Sequence, residues 1–154
     1  MSEPIAFPAG TPNAGLPLLF AGQAQKEFFV NQSLAILDAL APRTVVATLA
    51  EPPALPEDGA CYLVAPSPSG NWSTRASHLA LAIGGSWHFI IPAEGMLMFD
   101  RNAGNWLCFR DGWHSAGVPA APSGGSVIDS EARAALTQLV ESLQTLGLIP
   151  TPPL

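Results

Sequence analysis

Apolar residues recur at helical spacing between Gln23 and Ala41, near the start of the chain. No Gly or Pro interrupts this stretch, and Pro42 follows it, which cannot donate the hydrogen bond that would continue a helix. The spacing predicts one helix with an apolar face formed by Phe29, Val30, Leu34, Leu37 and Ala41. Phe28 and Ile36 widen that face, so we expect burial on two sides, against a sheet and against another subunit.

Residues 1–22 carry Pro and Gly at intervals too short for a helix or a central strand, which predicts an extended arm. The arm also contains apolar residues, namely Ile5, Phe7, Leu16, Leu18, Leu19 and Phe20. A solvated tail contains few such residues, so we expect the arm to lie on its own domain or on a neighbouring subunit.

Beyond Pro42 the apolar residues come in short β-type runs separated by turn residues. The runs are 44–49, 59–65, 77–83, 86–91, 96–100 and 105–110, and Trp113 follows a further turn. The pair Gly84-Gly85 predicts a two-residue hairpin. No helical segment separates the runs, so we predict six or seven antiparallel strands in a small sandwich or barrel. The predicted fold class is α+β, with the arm and the first helix packed on this β domain.

Gly, Pro and Ser dominate residues 115–127, which predicts a linker. A second helix is predicted over 128–149, because Asp129 is a suitable N-cap and Gly147 a suitable stop. Its apolar residues, spaced 4, 3, 4 and 3 apart, are Ala132, Leu136, Leu139, Leu143 and Leu146. Such a stripe is as typical of a self-associating coiled coil as of packing on the β domain. The predicted divisions are the arm (1–22), the helix plus β domain (23–114), the linker (115–127) and the C-terminal helix (128–149).

Charge is scarce and predominantly acidic. The 154 residues include 12 Asp and Glu against 6 Lys and Arg, a net charge of -6. Nucleic acid is therefore not an expected partner, because phosphate binding needs clustered cations. Charged residues make up 12% of the chain, against about 25% in typical soluble domains. This surface favours a subunit that hides area in an assembly. We expect synthesis in the cytoplasm, with neither a secretory signal nor membrane insertion.

Sequence motifs of catalysis or metal binding are missing. Cys61 and Cys108 lie singly inside strand-like runs, which is typical of small buried apolar residues. His88 lies between two aromatic residues of a predicted strand, whereas His114, beside Trp113, is the better candidate for a polar site. We expect no enzyme activity, no cofactor and no metal.

Each tryptophan follows a turn glycine closely. A tryptophan ring stacks on a pyranose, and neighbouring polar side chains bond its hydroxyls, so these turns are candidates for glycan binding. The candidate residues are Asn71, Trp72, Asn105, Trp106, Asp111, Trp113 and His114. Packing in the core of a small domain is the competing interpretation for each tryptophan. Asp100 with Asp111 leaves a remote alternative open, a carboxylate pair of a polysaccharide hydrolase.

The first helix also carries a recognisable motif, AGQAQKEFFVNQSLAILDAL, whose characteristic positions are Gln23, Gln25, Lys26, Asn31, Leu37 and Asp38. It resembles the opening motif of a family of proteins of unknown function found in prophages and gene transfer agents. The resemblance continues through 59–64, the turns at Trp72 and Trp87, and 92–95, and the stretch 129–149 is similar to the terminal helix of such proteins. Phe28-Phe29 departs from the motif, where a more polar pair is typical. The resemblance implies a virion protein, a subunit of a head spike or tail fibre, and no catalytic residues.

We therefore predict a non-enzymatic structural subunit of a phage-like particle that anchors or forms a host-attachment appendage. Its expected partners are copies of itself, a capsid or tail protein and a distal fibre protein. A capsid vertex suits a pentamer and a fibre suits a trimer. The expected assembly interface consists of Phe28, Phe29, Ile36, Leu136, Leu139, Leu143 and Leu146. The alternative is a carbohydrate-binding module that itself contacts a host surface polysaccharide.

Overall fold

The computed structural model describes residues 11, 18–19, 26–124 and 129–151. The chain divides into two compact units, residues 1–91 (unit 1) and 92–154 (unit 2). The described residues form two helices and eight strands, which confirms the α+β class, and these strands do not close into a barrel. The predicted boundary after residue 114 differs from this division, because the last three strands group with the C-terminal helix.

Helix α1 spans Lys26–Leu40 and ends before Pro42, as predicted. The predicted first residues of the helix, from Gln23, lie outside the described part of the chain. The buried residues of α1 are Asp38 and Ala39, at 1% and 3% exposure, and α1 contacts strand β4.

The apolar face that the sequence predicts for α1 is not the face that packs on the sheet. Phe29, Val30 and Leu37 are 70%, 41% and 59% exposed. At about 100° per residue they centre on the side of the helix opposite that of Asp38 and Ala39, and the latter side also includes Asn31 and Ala35. Ile36 and Leu34 are half-buried, and the side chain of Phe28 lies outside the described residues.

Unit 1 contains the first five strands. They are β1 (Thr44–Val45), β2 (Thr48–Leu49), β3 (Cys61–Val64), β4 (Leu79–Ile83) and β5 (Ser86–Ile90). Strands β2 to β5 form one sheet in the order β2-β3-β4-β5. The prediction of antiparallel pairing throughout is wrong for β2 and β3, which run parallel with Thr48 opposite Leu63. Residues 50–60 return the chain to the end at which β2 starts, so that β3 runs beside β2 in the same direction.

The β4–β5 hairpin closes through Gly84-Gly85, as predicted, with Ile83 opposite Ser86. Both glycines have positive φ, 56° and 75°, the combination that a type I′ turn requires. The sequence thus determines the register of this hairpin.

The core of unit 1 occupies both faces of the sheet, since all four residues of β3 are buried, and on one face it is an aromatic cluster. Tyr62, Trp72 and Trp87 pack with ring centroids 5.0 to 6.2 Å apart. Trp72 comes from a short 3₁₀ turn, Gly70–Trp72, and is 0% exposed. This supports core packing as the role of Trp72.

Unit 2 contains an antiparallel meander and the second helix. Its elements are β6 (Leu97–Asp100), β7 (Asn105–Phe109), β8 (Trp113–Ser115) and α2 (Ser130–Thr145). At the turn between β6 and β7, Oδ1 of the buried Asp100 accepts hydrogen bonds from the backbone N–H groups of Asn102 and Ala103, at 2.9 and 3.0 Å.

Helix α2 has both of the predicted caps. The side chain of Asp129 accepts a hydrogen bond from Ala132 N at 2.8 Å. At the other end, Leu148 N donates to Leu143 O and Gly147 N to Gln144 O, which is a Schellman motif with Gly147 at a φ of 67°. Gly147 O then accepts a hydrogen bond from Trp106 N, at 2.8 Å. The end of α2 is thereby attached to the β6–β7 hairpin within unit 2.

Candidate functional site

A cavity of about 660 Å³ lies in unit 1, on the face of the sheet that α1 covers. Its size falls in the range of about 300–1,000 Å³ that small-molecule sites usually have. The described residues that line it come from the arm, from α1, from the turn before β3 and from the β4–β5 hairpin. They are Thr11, Leu18, Leu19, Glu27, Asn31, Gln32, Ala35, Asp58, Gly59, Ile83, Gly84, Ser86 and His88.

One side of this cavity is the arm, held by a side chain of α1. Asn31 Oδ1 accepts a hydrogen bond from Leu19 N at 2.7 Å, and Asn31 Nδ2 donates to Leu19 O at 2.8 Å. One amide side chain thus bonds both backbone groups of one residue, as a neighbouring strand would. Thr11 is buried and Leu18 and Leu19 are half-buried. For these three arm residues, the prediction that the arm lies on its own domain is confirmed.

A second polar pair of the cavity joins α1 to β5. Gln32 Nε2 and His88 Nδ1 are 3.1 Å apart. An amide NH₂ group can only donate, so Nδ1 of a neutral His88 is the acceptor and its proton lies on Nε2. Gln32 Oε1 and His88 Nε2–H then remain as an acceptor and a donor with no hydrogen-bond partner in the described part of the chain.

The charged side chains among the described lining residues are both acidic. Asp58 Oδ1 accepts a hydrogen bond from Gly84 N at 2.7 Å, which ties the turn before β3 to the hairpin, and Glu27 lies in the first turn of α1. No Lys, Arg, Phe, Tyr or Trp occurs among these described lining residues. The cavity thus lacks the aromatic surface typical of sugar sites and suits a ligand that is not an anion.

The structure does not bring the predicted glycan-binding residues together as one set. Trp72 is fully buried and Asn105 is 3% exposed, so neither can contact a sugar. Asn71 is exposed but stands beside a tryptophan that faces the core. Trp106 is half-buried, and its ring packs edge-on against Phe99 at 5.4 Å.

Three of the predicted residues do share one turn, between β7 and β8. Asp111 and His114 are exposed and Trp113 is half-buried, with its ring edge-on to Phe109 at 5.4 Å. His114 Nε2–H donates to Arg110 O at 3.0 Å, which fixes the imidazole against the turn. This turn is the place where accessible residues of the predicted glycan set lie together.

The carboxylate pair of a hydrolase is not formed. Asp100 lies opposite Asn105 at one end of the β6–β7 hairpin, and Asp111 follows the other end of β7. The four residue steps of β7 from Asn105 to Phe109 alone cover about 13 Å, so the two carboxylates lie at opposite ends of the strand. Glycosidase carboxylates lie within about 9.5 Å of each other. Asp100 and Asp111 therefore do not have the geometry of a glycosidase pair.

Neither cysteine is a reactive centre by position. Cys61 is buried within β3 and Cys108 is half-buried within β7, and both are free thiols. Burial raises the pKa of the Cys61 thiol to about 12.

The searched, described residues include no group of three or more His, Cys, Asp or Glu that could hold a metal ion. The same part of the chain contains no helix with the length and apolarity needed to cross a membrane.

The predicted interface residues of α2 are exposed along most of the helix. Leu136, Leu139 and Leu146 are 50%, 55% and 64% exposed, and Leu143 is half-buried. No residue of α2 is buried. Packing of this stripe on the β domain is therefore confined to the C-terminal end of the helix.

The model of one protein family, described as a protein of unknown function (DUF2793), matches residues 30–114. This match spans more than half of the chain. The chain belongs to the DUF2793 family. The prediction of a family of unknown function is thus confirmed. Comparison with curated proteins finds no match.

The DUF2793 match starts within α1 and ends within β8, so it includes α1 residues that line the cavity. Asn31 belongs to the recognised motif, but its contact with the arm was not predicted. Gln32 and Ser86 carried no sequence signal beyond being polar in otherwise apolar segments. The cavity depends on contacts between distant segments, which a linear pattern does not contain.

Proposed function

We propose that this member of the DUF2793 family is a structural subunit of a phage-like particle, a component of a head spike or tail fibre. It anchors or forms a host-attachment appendage and resides on the particle surface. The observation that carries the proposal is the exposure of an apolar row on each helix. A subunit that is buried among other chains needs such rows, whereas a free monomer rarely keeps them.

The row on α1 lies on the side of the helix that faces away from its sheet. It includes Phe29, Val30 and Leu37. If an assembly covered these residues, each of them would contribute about 1 kcal/mol or more through its remaining exposed area. The scarcity of charge in the chain agrees with a surface that is covered in this way.

The row on α2 has the spacing of a coiled-coil seam. Arg133, the cation beside it, donates hydrogen bonds to Pro122 O and Gly124 O, so its side chain extends toward the preceding segment. The proposed partners are other copies of this chain, as a trimer or pentamer, together with a capsid or tail protein and a distal fibre protein. Neither nucleic acid nor a metal has a place in this proposal.

The test is native mass spectrometry of the full chain with three variants. Leu37→Ser disrupts the row on α1 and Leu139→Ser the row on α2. Leu55→Ser is the matched control, because Leu55 is 92% exposed but lies in a loop outside both rows. We expect the unaltered chain and Leu55→Ser to form the same oligomer, and at least one of the other variants to form a smaller species. A monomer in all four samples would contradict the proposal.

Location on a particle is tested separately. Mass spectrometry of purified particles should detect the chain, and electron micrographs of particles from cells that lack it should show a missing spike or fibre. Intact appendages on particles without the chain would contradict this part of the proposal.

A second candidate function is direct binding of a host surface glycan by the turn between β7 and β8. It is favoured by the grouping of Asp111, Trp113 and His114, two of them exposed and the third half-buried. Trp113→Ala should abolish retention on a glycan array, whereas Trp106→Ala, which removes a ring outside this turn, should not.

A further inference from the structure

The sheet of unit 1 ends at β5, and no other strand of the described residues pairs with the outer edge of β5. The two-residue turn makes Ile83 and Ser86 a hydrogen-bonded pair, and pairs of this kind alternate along an antiparallel ladder. Trp87 and Phe89 fall at the intervening positions, so their backbone N–H and C=O groups point away from β4. In β4, Ala82 is the partner of Trp87, and its backbone N–H and C=O groups likewise point away from β5. Ala82 N donates a hydrogen bond to Ala60 O, just before β3, at 3.0 Å.

These outward groups have no hydrogen-bond partner in the described chain. The sequence of β5, SWHFI, contains no Lys, Glu or Pro, the residues that usually protect an edge strand. Ile91, directly after the strand, is 75% exposed. The edge therefore offers a row of main-chain groups to a further strand.

The cavity lies beside this edge. Side chains of a strand alternate between its faces, so Trp87 and Phe89 face the aromatic core while Ser86 and His88 face the cavity. A strand added along β5 would alternate in the same way. Every second side chain of such a strand would then enter the space lined by Ala35, Leu18 and Ile83, next to the unpartnered atoms of Gln32 and His88.

We propose that the β5 edge binds an extended peptide segment of a partner protein, and that the cavity receives one of its apolar side chains. Main-chain hydrogen bonds to Trp87 and Phe89 supply affinity and the cavity supplies selectivity, as in other modes of β-strand addition. The acidic side chains of the lining, Glu27 and Asp58, select against acidic residues in the segment. Asn31 already bonds the backbone of Leu19 in the same paired manner, so this wall of unit 1 accommodates extended chain.

The probe is a display library of random peptides of about eight residues, a usual strand length, screened against the full chain. Selected peptides should share an apolar residue within an alternating pattern and lack Asp and Glu. Their binding should slow hydrogen exchange of the Trp87 and Phe89 amides by about tenfold or more. Selection of no peptide above background, or binding that leaves these two amides unchanged, overturns the proposal.

Two variants test the edge and its cavity. Phe89→Pro removes the outward N–H, which an edge strand tolerates, and Phe89→Ala is the matched control that loses the ring but keeps the donor. We expect Phe89→Pro to bind at least about tenfold more weakly than Phe89→Ala. If Phe89→Pro does not fold, two peptides N-methylated at alternate sets of residues provide the same comparison. The peptide that loses the N–H groups facing β5 should not bind, whereas the peptide that loses the other N–H groups should bind. Ala35→Phe, which fills the cavity, should change the preferred side chain to a smaller one.

A second copy of the chain is the competing occupant. In that case the Trp87 and Phe89 amides would be protected without peptide, and their protection would increase with protein concentration. That result would overturn the proposal that the bound segment belongs to a different protein. Peptide binding does not depend on the particle proposal, since each can fail while the other holds.

Discussion

The attachment of α2 to the β6–β7 hairpin rests on one glycine and can be tested by a graded series. Gly147 has a φ of 67°, and a Cβ atom there would lie 2.6 Å from Phe99 Cε2 and 3.2 Å from Gly104 O. Gly147→Ala therefore combines a left-handed backbone penalty of about 1 kcal/mol with an overpacking penalty of about 1–3 kcal/mol. We expect a loss of roughly 2–4 kcal/mol in the free energy of unfolding of unit 2.

Two control glycines separate these penalties. Gly104 has a φ of 69°, and the Cβ atom that an alanine would add there meets nothing within 4 Å, so Gly104→Ala should cost only the backbone penalty of about 1 kcal/mol. Gly117 has open space and no positive φ, so Gly117→Ala should lie within about 0.5 kcal/mol of the unaltered chain.

The assay is urea unfolding followed by tryptophan fluorescence and by the helical circular dichroism signal. We expect the order of stability to be Gly117→Ala, then Gly104→Ala, then Gly147→Ala, with unchanged m-values. Equal stability of the last two variants would refute the packing argument, because it would mean that Phe99 gives way without cost.

Two further predictions concern unit 1. Asn31→Ala removes both hydrogen bonds to Leu19, so the Leu19 amide should exchange faster and a protease should cleave the arm sooner. Asn31→Gln should form neither hydrogen bond, since its amide lies one methylene too far from the backbone. Unchanged exchange of the Leu19 amide in both variants would contradict the role of Asn31 in holding the arm. Burial raises the pKa of the Cys61 thiol from 9.0 to about 12, so the folded state holds this proton more tightly than the unfolded state does. The free energy of unfolding should therefore be unaffected below pH 9 and should fall as the pH rises from 9 toward about 12. Cys61→Ala should remove this part of the pH dependence measured by unfolding, and an identical alkaline slope in both proteins would contradict it.

Local chemistry determines much of the fold. The Gly84-Gly85 hairpin, the Asp129 cap and the Gly147 stop each depend on a few adjacent residues whose backbone preferences are strong, so the sequence alone predicts them. The parallel pairing of β2 with β3 could not be derived in this way. It depends on how residues 50–60 return the chain to the start of β3, and neither strand pattern nor turn residues encode that path.

The apolar pattern of α1 identified a helix but not its partner. Periodicity shows which residues share a side, yet it does not tell a side that packs within the chain from one that packs on another chain. Here the sheet contacts a side with Ala39 and Asp38, and Phe29 and Leu37 face away. The tryptophans give a second example, because Trp72 and Trp113 both follow a turn glycine in the sequence. Only the fold shows that Trp72 lies in the core and Trp113 near the surface.

The outward row of α1 and the edge of β5 are separate surfaces of unit 1, so they make separable demands on a partner. The row offers apolar area without hydrogen bonds, which suits another helix, whereas the edge offers hydrogen bonds in strand register. Leu37→Ser should therefore lower the amount of oligomer and leave peptide binding unchanged. Phe89→Pro should weaken peptide binding compared with Phe89→Ala and leave the oligomer unchanged. If either variant impaired both properties, the two surfaces would have to act as one interface, and a single partner contacting both α1 and β5 would replace the two inferred here.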